Sequence, residues 1–237
     1  MTSAGAWIEE SGFLLEPRLR ALGLRHGFTT RRLGDMKSLS KLSSAAALLG
    51  LPDPLTLKQV HGTEIHRAAH SALGLEGDGW TLGPGDEGLN VAVYVADCMP
   101  LYLWSDDGKY AGVFHAGWKG MAAGMPANAV AALVERGAKA SRLQAAFGPH
   151  ISAEVYRVGE DLENSFPASS FKRNAGELFL DLDSDARRQL VEAGVPERMI
   201  GPAAPCTLSN PDAYHSFRRQ KDGARMLAFL SLDRRPA

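Results

Sequence analysis

Residues 90–120, NVAVYVADCMPLYLWSDDGKYAGVFHAGWKG, decide how the rest of the chain is read. Asn90–Ala96 is β-branched and almost wholly apolar, which predicts a strand central in its sheet and buried on both faces. Asp97 and Pro100 interrupt it, and a strand running on into a core does not take a charge and then a proline. Ala96-Asp97-Cys98-Met99-Pro100 therefore reads as a turn that presents side chains. Two short apolar runs follow, Leu101–Trp104 and Ala111–Phe114, on either side of Ser105-Asp106-Asp107-Gly108-Lys109. An Asp-Gly turn between apolar runs predicts a β-hairpin. The stretch closes on His115-Ala116-Gly117-Trp118-Lys119-Gly120, after a strand and before a helix. Its small residues let backbone N–H groups approach an anion near a helix N-terminus. An ordinary tight turn that needs glycine for positive φ is the alternative.

Outward from this stretch, hairpins and helices mix. Leu39–Leu51 (LSKLSSAAALLGL) predicts a helix that stops at Gly50 and Pro52. Leu55–Val60 and Ile65–Ala69 predict short strands around His61-Gly62-Thr63-Glu64. Toward the other end, Ala122–Arg136, Glu160–Ser165 and Asp183–Ala193 predict helices, and Leu143–Phe147, Glu177–Leu180 and Met226–Leu232 predict strands. The order does not alternate strictly, so the expected class is α+β, with layered mixed β-sheets flanked by helices rather than a doubly wound parallel sheet. The 25 Gly and 13 Pro are scattered, with no linker or internal repeat, which predicts one domain over residues 1–237.

Composition removes several function classes. The 237 residues are 45% hydrophobic and 22% charged, which excludes a disordered chain, a coiled coil or a collagen-like fibre. Lys plus Arg is 26 and Asp plus Glu is 27, so a formal net charge of −1 gives no global drive toward nucleic acid or an anionic membrane. No apolar run approaches the ~20 residues that cross a bilayer. Met1–Gly12 has neither a basic start nor an apolar centre, so no secretory signal is read and a cytoplasmic location is expected. There Cys98 and Cys206 would be free thiols, ligands or nucleophiles rather than a structural pair. No feature fixes the oligomeric state.

Three residues of metal-ligand type stand at predicted strand ends: His61, Cys98 and His115. Two imidazoles and a thiolate suit Zn²⁺ and leave a fourth tetrahedral position for water or substrate. No short CxxC or HExxH spacing enforces their convergence. Singly, a cysteine after a buried strand is more often a small core hydrophobe.

Six motifs in order carry a resemblance: Lys58-Gln59-Val60-His61-Gly62, Ala96-Asp97-Cys98-Met99-Pro100, Phe114-His115-Ala116-Gly117-Trp118-Lys119-Gly120, Phe147-Gly148-Pro149-His150-Ile151, Tyr156-Arg157-Val158-Gly159, and Cys206-Thr207 followed by Ser216-Phe217-Arg218-Arg219. From about Arg25 to Leu232 the chain resembles the laccase-domain (YfiH-like) family. That family was first labelled polyphenol oxidase or laccase and is now described as zinc-dependent purine nucleoside phosphorylases with adenosine deaminase and methylthioadenosine phosphorylase activities. The resemblance implies that His61, Cys98 and His115 are zinc ligands and catalytic residues, with Cu²⁺ the second choice of metal. It also implies that a purine nucleoside and phosphate are the partners. The chain departs from the family at Phe28-Thr29-Thr30-Arg31-Arg32-Leu33-Gly34, which keeps the arginine and one glycine of a usual pair. It departs again at His150, where relatives commonly have cysteine, and at Gly223-Ala224-Arg225, where they have Thr-Gly-Arg.

Phosphorolysis needs cations on phosphate and a donor near the departing base. Arg31, Lys119, Arg218, Arg219 and Arg225 are the candidate cations, at least two of them expected to be ordinary surface groups. Asp97 and His150 are further substrate-binding candidates. Deamination needs a proton shuttle, for which Asp97 and Glu64 are nearest in sequence. Three other readings stay open. Cys98 would be the nucleophile of a hydrolase or amidase acting on peptidoglycan precursors, with His115 or His61 as base. A copper-dependent polyphenol oxidase would want more ligands than seven His without a His-x-His pair provide. A non-enzymatic small-molecule binding module would use the same pocket.

Overall fold

The computed structural model describes residues 7–234. The first six residues, on which the expectation about a signal partly rests, lie outside them. In chain order the strands and helices are β1 (Ile8–Glu10), β2 (Phe13–Leu15), α1 (Pro17–Ala21), β3 (Leu24–Thr29), α2 (Leu39–Leu48), β4 (Ile65–Arg67), β5 (Gly79–Leu82), β6 (Asn90–Val95), β7 (Met99–Ser105), β8 (Ala111–Ala116), α3 (Trp118–Ala122), α4 (Met125–Glu135), β9 (Leu143–Phe147), β10 (Arg157–Val158), β11 (Phe171–Asn174), β12 (Glu177–Leu180), α5 (Leu182–Glu192), α6 (Phe217–Gln220) and β13 (Met226–Arg234). One antiparallel sheet runs β1-β2-β3-β13-β6, a second runs β4-β5-β8-β7-β9 with only β4 and β5 parallel, and a small third runs β10-β12-β11. The fold is α+β, as the mixed order of elements predicts.

Alternation along the strands explains the layers. Val91, Val93 and Val95 of β6 and Met226, Ala228 and Leu230 of β13 share one core with Trp80, Tyr102, Trp104 and Val113 of the second sheet. The intervening Ala92, Leu227 and Phe229 face a separate cluster with Leu42 and Ala45 of α2. On the second sheet, Leu101, Leu103 and Phe114 face the opposite way, against Ala129 and Leu133 of α4 and Leu190 of α5. The order through the molecule is helix, sheet, sheet, helices. Two aromatic tips reach across the inter-sheet core to find acceptors: Trp80 Nε1 donates to the Ala92 carbonyl at 3.1 Å, and Tyr102 OH donates to that of Gly27 at 2.9 Å.

Three elements differ from expectation. β6 is buried but lies at the edge of its sheet, and Leu55–Val60 is not a strand. The two facts have one cause. The free edge of β6 is covered by this segment, whose backbone pairs only once with it, at Leu55 and Val91. The Gln59 side chain then replaces a ladder: its amide nitrogen donates to the Tyr94 carbonyl at 2.8 Å and its oxygen accepts the Tyr94 N–H at 2.7 Å. The helix expected over Ala122–Arg136 is α4 and starts three residues later, because Ala122 ends α3, Gly124 adopts φ 87° and Pro126 falls in the first turn of α4. The Glu160–Ser165 helix is present in 3₁₀ form. Among the described residues, no helix is long and apolar enough to cross a membrane.

Candidate metal centre and substrate cavities

The site begins with the face that β5 and β8 turn toward the first sheet. Trp80 and Leu82 on β5, and Ala111 and Val113 on β8, all point into the inter-sheet core. Carried one step further at period two, the same faces present Asp78 and His115. Gly79 pairs with Phe114 in the antiparallel register, and the His115 N–H donates to the Asp78 carbonyl at 2.7 Å. Nδ1 of His115 meets Asp78 Oδ1 at 2.7 Å. β8 runs to Ala116, so His115 is the penultimate residue of the strand rather than the one after it.

Asp78 is fully buried and does more than hold His115. Its carboxylate also accepts the N–H groups of Val60 at 3.2 Å, His61 at 3.0 Å and Gly62 at 2.7 Å. This grip keeps His61 at φ 61°, a left-handed conformation that costs a side-chain-bearing residue about 1–2 kcal/mol. Burial alone would push the Asp78 carboxyl up; the hydrogen bond and charge of His115 and the N–H groups of Gly62 and Val60 outweigh it and hold it below the usual range.

Cys98 arrives where the chain crosses from the first sheet to the second, between β6 and β7. The crossing needs a reversal, and Asp97 supplies it at φ 81°. The Asp97 carboxylate fixes this turn to distant loops: Oδ1 accepts from Thr207 Oγ1 at 2.6 Å, and Oδ2 accepts from Ser216 Oγ at 3.0 Å and the Arg218 N–H at 2.7 Å. Both oxygens of this substrate-binding candidate are thus engaged with the protein.

The three turns converge. One ligand atom from each of His61, Cys98 and His115 lies within 4.8 Å of the others, and the two imidazole rings stand edge-to-face with centroids 4.9 Å apart. Burial pushes the Cys98 thiol up, but His115 and His61 outweigh it, lowering its pKa to about 6, a shift that favours the thiolate form. His115 is raised by the Cys98 and Asp78 charges against its own desolvation. With Nδ1 engaged by Asp78, Nε2 is left to the cluster, the arrangement that orients histidine ligands in metal sites. Gly117 completes the cradle. A Cβ there would stand 3.0 Å from Cys98 Sγ and 3.1 Å from His61 Cδ2, so the glycine serves close approach of the cluster. Donor chemistry, ring orientation and clearance all fit a Zn²⁺-type ion.

Gly120 imposes a second close approach. A Cβ there would stand 2.7 Å from the Gly62 carbonyl oxygen. Gly120→Ala should therefore displace the His61 loop despite the ~1 kcal/mol that alanine gains in a helix. Metal content by atomic absorption is expected to fall severalfold, with the circular dichroism spectrum unchanged.

Two cavities meet at the cluster, sharing His61, Ala96, Cys98 and Phe217. The first, about 430 Å³, is also lined by Lys37, Gln59, Tyr94 and Arg225. The second, about 270 Å³, is walled by Trp118, Tyr156, Ile151 and Leu182, with Asp97 and Arg218. Arg218 lies over the Tyr156 ring at 5.3 Å and donates to the Arg157 carbonyl. Of the predicted cations, Arg218 and Arg225 reach these cavities. Arg31 donates to the Pro211 carbonyl at 2.9 Å, Arg219 is spent on the carbonyls of Thr207, Leu208 and Tyr214, and Lys119 lies exposed over the Trp118 ring at 5.6 Å. Glu64 is exposed, and its backbone carbonyl takes the Asp78 N–H. Cys206 Sγ accepts the Ser152 N–H at 3.4 Å.

Sequence reasoning missed Asp78 and Lys37. For Asp78 the signal was a lone charge between Gly77 and Gly79 at the head of an apolar strand, whose register with β8 only the sheet supplies.

His150 is buried behind the second cavity. Its Nδ1 faces the Gly148 carbonyl at 2.9 Å and its Nε2 the Asp183 carboxylate at 3.2 Å. Both partners are acceptors, so the doubly protonated ring is the form that satisfies them. Burial lowers the His150 pKa; Asp183 and the Gly148 carbonyl outweigh it, and the net direction is up. Its stabilisation is then complete below pH ~6.5 and is lost as pH rises through the higher folded-state value. Asp183→Asn should cost on the order of 2 kcal/mol at pH 6, the size of one buried charge-assisted hydrogen bond. The gap between its urea midpoint and that of the unsubstituted protein should close toward pH 9.

Between layered sheets, a His-Cys-His cluster that could hold a metal ion opens to two cavities, the form of an enzyme pocket. Residues 25–233 match the family described as multi-copper polyphenol oxidoreductase laccase. A purine nucleoside phosphorylase of Deinococcus radiodurans is 33% identical over 92% of this chain and 94% of its own. A protein named adenosine deaminase from an unknown prokaryotic organism is 30% identical over 56% of this chain and 54% of its own. The crystal structure of YlmD from Geobacillus stearothermophilus superposes with a TM-score of 0.84 at 27% identity, over 97% of this chain and 99% of that one. The chain belongs to this laccase-domain, YfiH-like family.

Proposed function

We propose that this chain is a zinc-dependent purine nucleoside phosphorylase that accepts adenosine, inosine and methylthioadenosine and also deaminates adenosine. One observation carries the reading: the His61, Cys98 and His115 donors converge where a cavity lined by two cations meets one walled by aromatic rings. An anion and a planar base can thus reach one centre together. The names of the relatives, purine nucleoside phosphorylase and adenosine deaminase, support it.

In phosphorolysis a phosphate oxygen bonds to C1′ of the ribose as the C1′–N9 bond breaks. The electron pair leaves on the purine, which takes a proton from water, and the products are free base and ribose 1-phosphate. The chain's contribution is position and charge: Trp118 and Tyr156 offer faces for the base and exclude water, and the cations hold the phosphate. In deamination a water oxygen replaces the C6 amine, which departs as ammonia. His61, Cys98 and His115 would hold the zinc, which when bound would supply Lewis acidity for this step. The same two-His, one-Cys donor set also suits copper, the second choice of metal.

The test is incubation of zinc-loaded protein with adenosine or inosine, with and without phosphate, following free base and ammonia. Base released only with phosphate is the expected result; no base and no ammonia from either nucleoside overturns the reading. A cysteine-hydrolase reading is favoured by one observation, the Cys98–His115–Asp78 relay with its thiolate. Activity in metal-free protein that alkylation destroys would establish it.

A further inference from the structure

We propose that Lys37 and Arg225 form the phosphate subsite, an oxyanion pocket beside the His61, Cys98 and His115 cluster; the assignment rests on the phosphorylase reading above. The larger cavity at the cluster carries both cations and no Asp or Glu, whereas the smaller one sets Asp97 beside Arg218. A dianion entering the first therefore meets two cations and no lining carboxylate.

The donors there are open. Lys37 is exposed, and among the described residues its ammonium has no hydrogen bond or ion pair. Arg225 meets only neutral groups, the Ala224 carbonyl at 3.0 Å and the Phe217 ring at 5.5 Å, which leaves most of its five N–H donors for a ligand. A guanidinium fork with a neighbouring point charge is a common way to hold a tetrahedral oxyanion.

The two cations are also held in register, although one precedes α2 and the other precedes β13. A single carboxylate oxygen, Asp35 Oδ1, accepts the Lys37 N–H at 3.0 Å and the Arg225 N–H at 2.9 Å, and the Met36 N–H donates to the Arg225 carbonyl at 3.0 Å. Asp35 is a positioning residue: it spends its charge on backbone and does not line the cavity. The base then falls to the aromatic cavity, with Phe217 between the two.

Inorganic phosphate is the probe. Zinc-loaded wild type and Lys37→Met are titrated with phosphate by calorimetry, and inosine phosphorolysis is followed while each substrate is varied. The expected result is about a tenfold rise in KM for phosphate in Lys37→Met, with KM for inosine unchanged and a matching loss of phosphate binding. Equal phosphate affinity in the two proteins, or a rise shared equally by both KM values, overturns the proposal. Should the protein turn over no nucleoside, the phosphorylase reading fails, yet the titration still decides the subsite: phosphate binding weakened by Lys37→Met upholds it. Adenosine 5′-monophosphate binding weakened by the substitution while inorganic phosphate binding is unaffected overturns it, because the cavity would then hold the phosphate of a nucleotide.

Discussion

Cys98→Ser is expected to remove the metal and at least ~10³-fold of the nucleoside turnover together, while the fold persists. The thiolate is the one anionic donor of the cluster, and the neighbouring imidazoles already lower its pKa to about 6, so at pH 7 it binds a cation with little cost of deprotonation. A serine hydroxyl at that position is neutral and hard, and it leaves two imidazoles to hold the ion alone. The residue sits in a half-buried turn rather than in either core, so the thermal midpoint of the metal-free proteins should agree within a few degrees. Zinc per chain and base release, measured on the same sample, give two readouts. Serine variant that keeps one zinc per chain but loses activity would move Cys98 from ligand to nucleophile and sink the metal reading.

The fold was legible where periodicity and turn chemistry agreed. Asp107-Gly108 between apolar runs announced the β7–β8 hairpin, and Gly50 with Pro52 announced the end of α2. Misreadings came where a side chain did the work of backbone. Nothing in Leu55–Val60 reveals that the Gln59 amide, rather than a ladder, would pair with Tyr94, and that substitution decides both the loss of the strand and the edge position of β6. Gly124 posed a different problem, since an isolated glycine inside a helical pattern is compatible with a continuous helix until its φ is known.

For the site, residue type and strand ends nominated His61, Cys98 and His115, but convergence is a property of register. His115 and Asp78 meet because β5 and β8 are antiparallel with Gly79 opposite Phe114, and Cys98 joins them because the chain changes sheets there. Among the basic residues, sequence could not separate the Arg225 guanidinium, held only by neutral groups, from that of Arg219, spent on three carbonyls. Lys37 escaped notice for the same reason: an exposed lysine next to serine has no local mark, and its relation to Arg225 runs through Asp35.

Asp78→Asn is the substitution that tests how the cluster is assembled, and it should cost both stability and metal. The carboxylate accepts four N–H donors, three from the 60–62 backbone and one from His115. Asparagine fills nearly the same volume but offers one acceptor oxygen, and it turns an NH₂ toward groups that are themselves donors. In a fully buried position at least one donor is left unsatisfied, at about 1–3 kcal/mol. The strained φ of His61 then loses part of what offsets it, and His115 loses the acceptor that fixes Nδ1–H and aims Nε2 at the ion. Loss of such an orienting partner typically weakens metal affinity by ~10–100-fold. Competition with a graded chelator should show that drop, alongside a lowered urea midpoint in the metal-free protein. Asn variant that holds zinc as tightly as the original carboxylate would mean that His61 and His115 are positioned by the sheet alone, and that the buried Asp78 plays no part in building the centre.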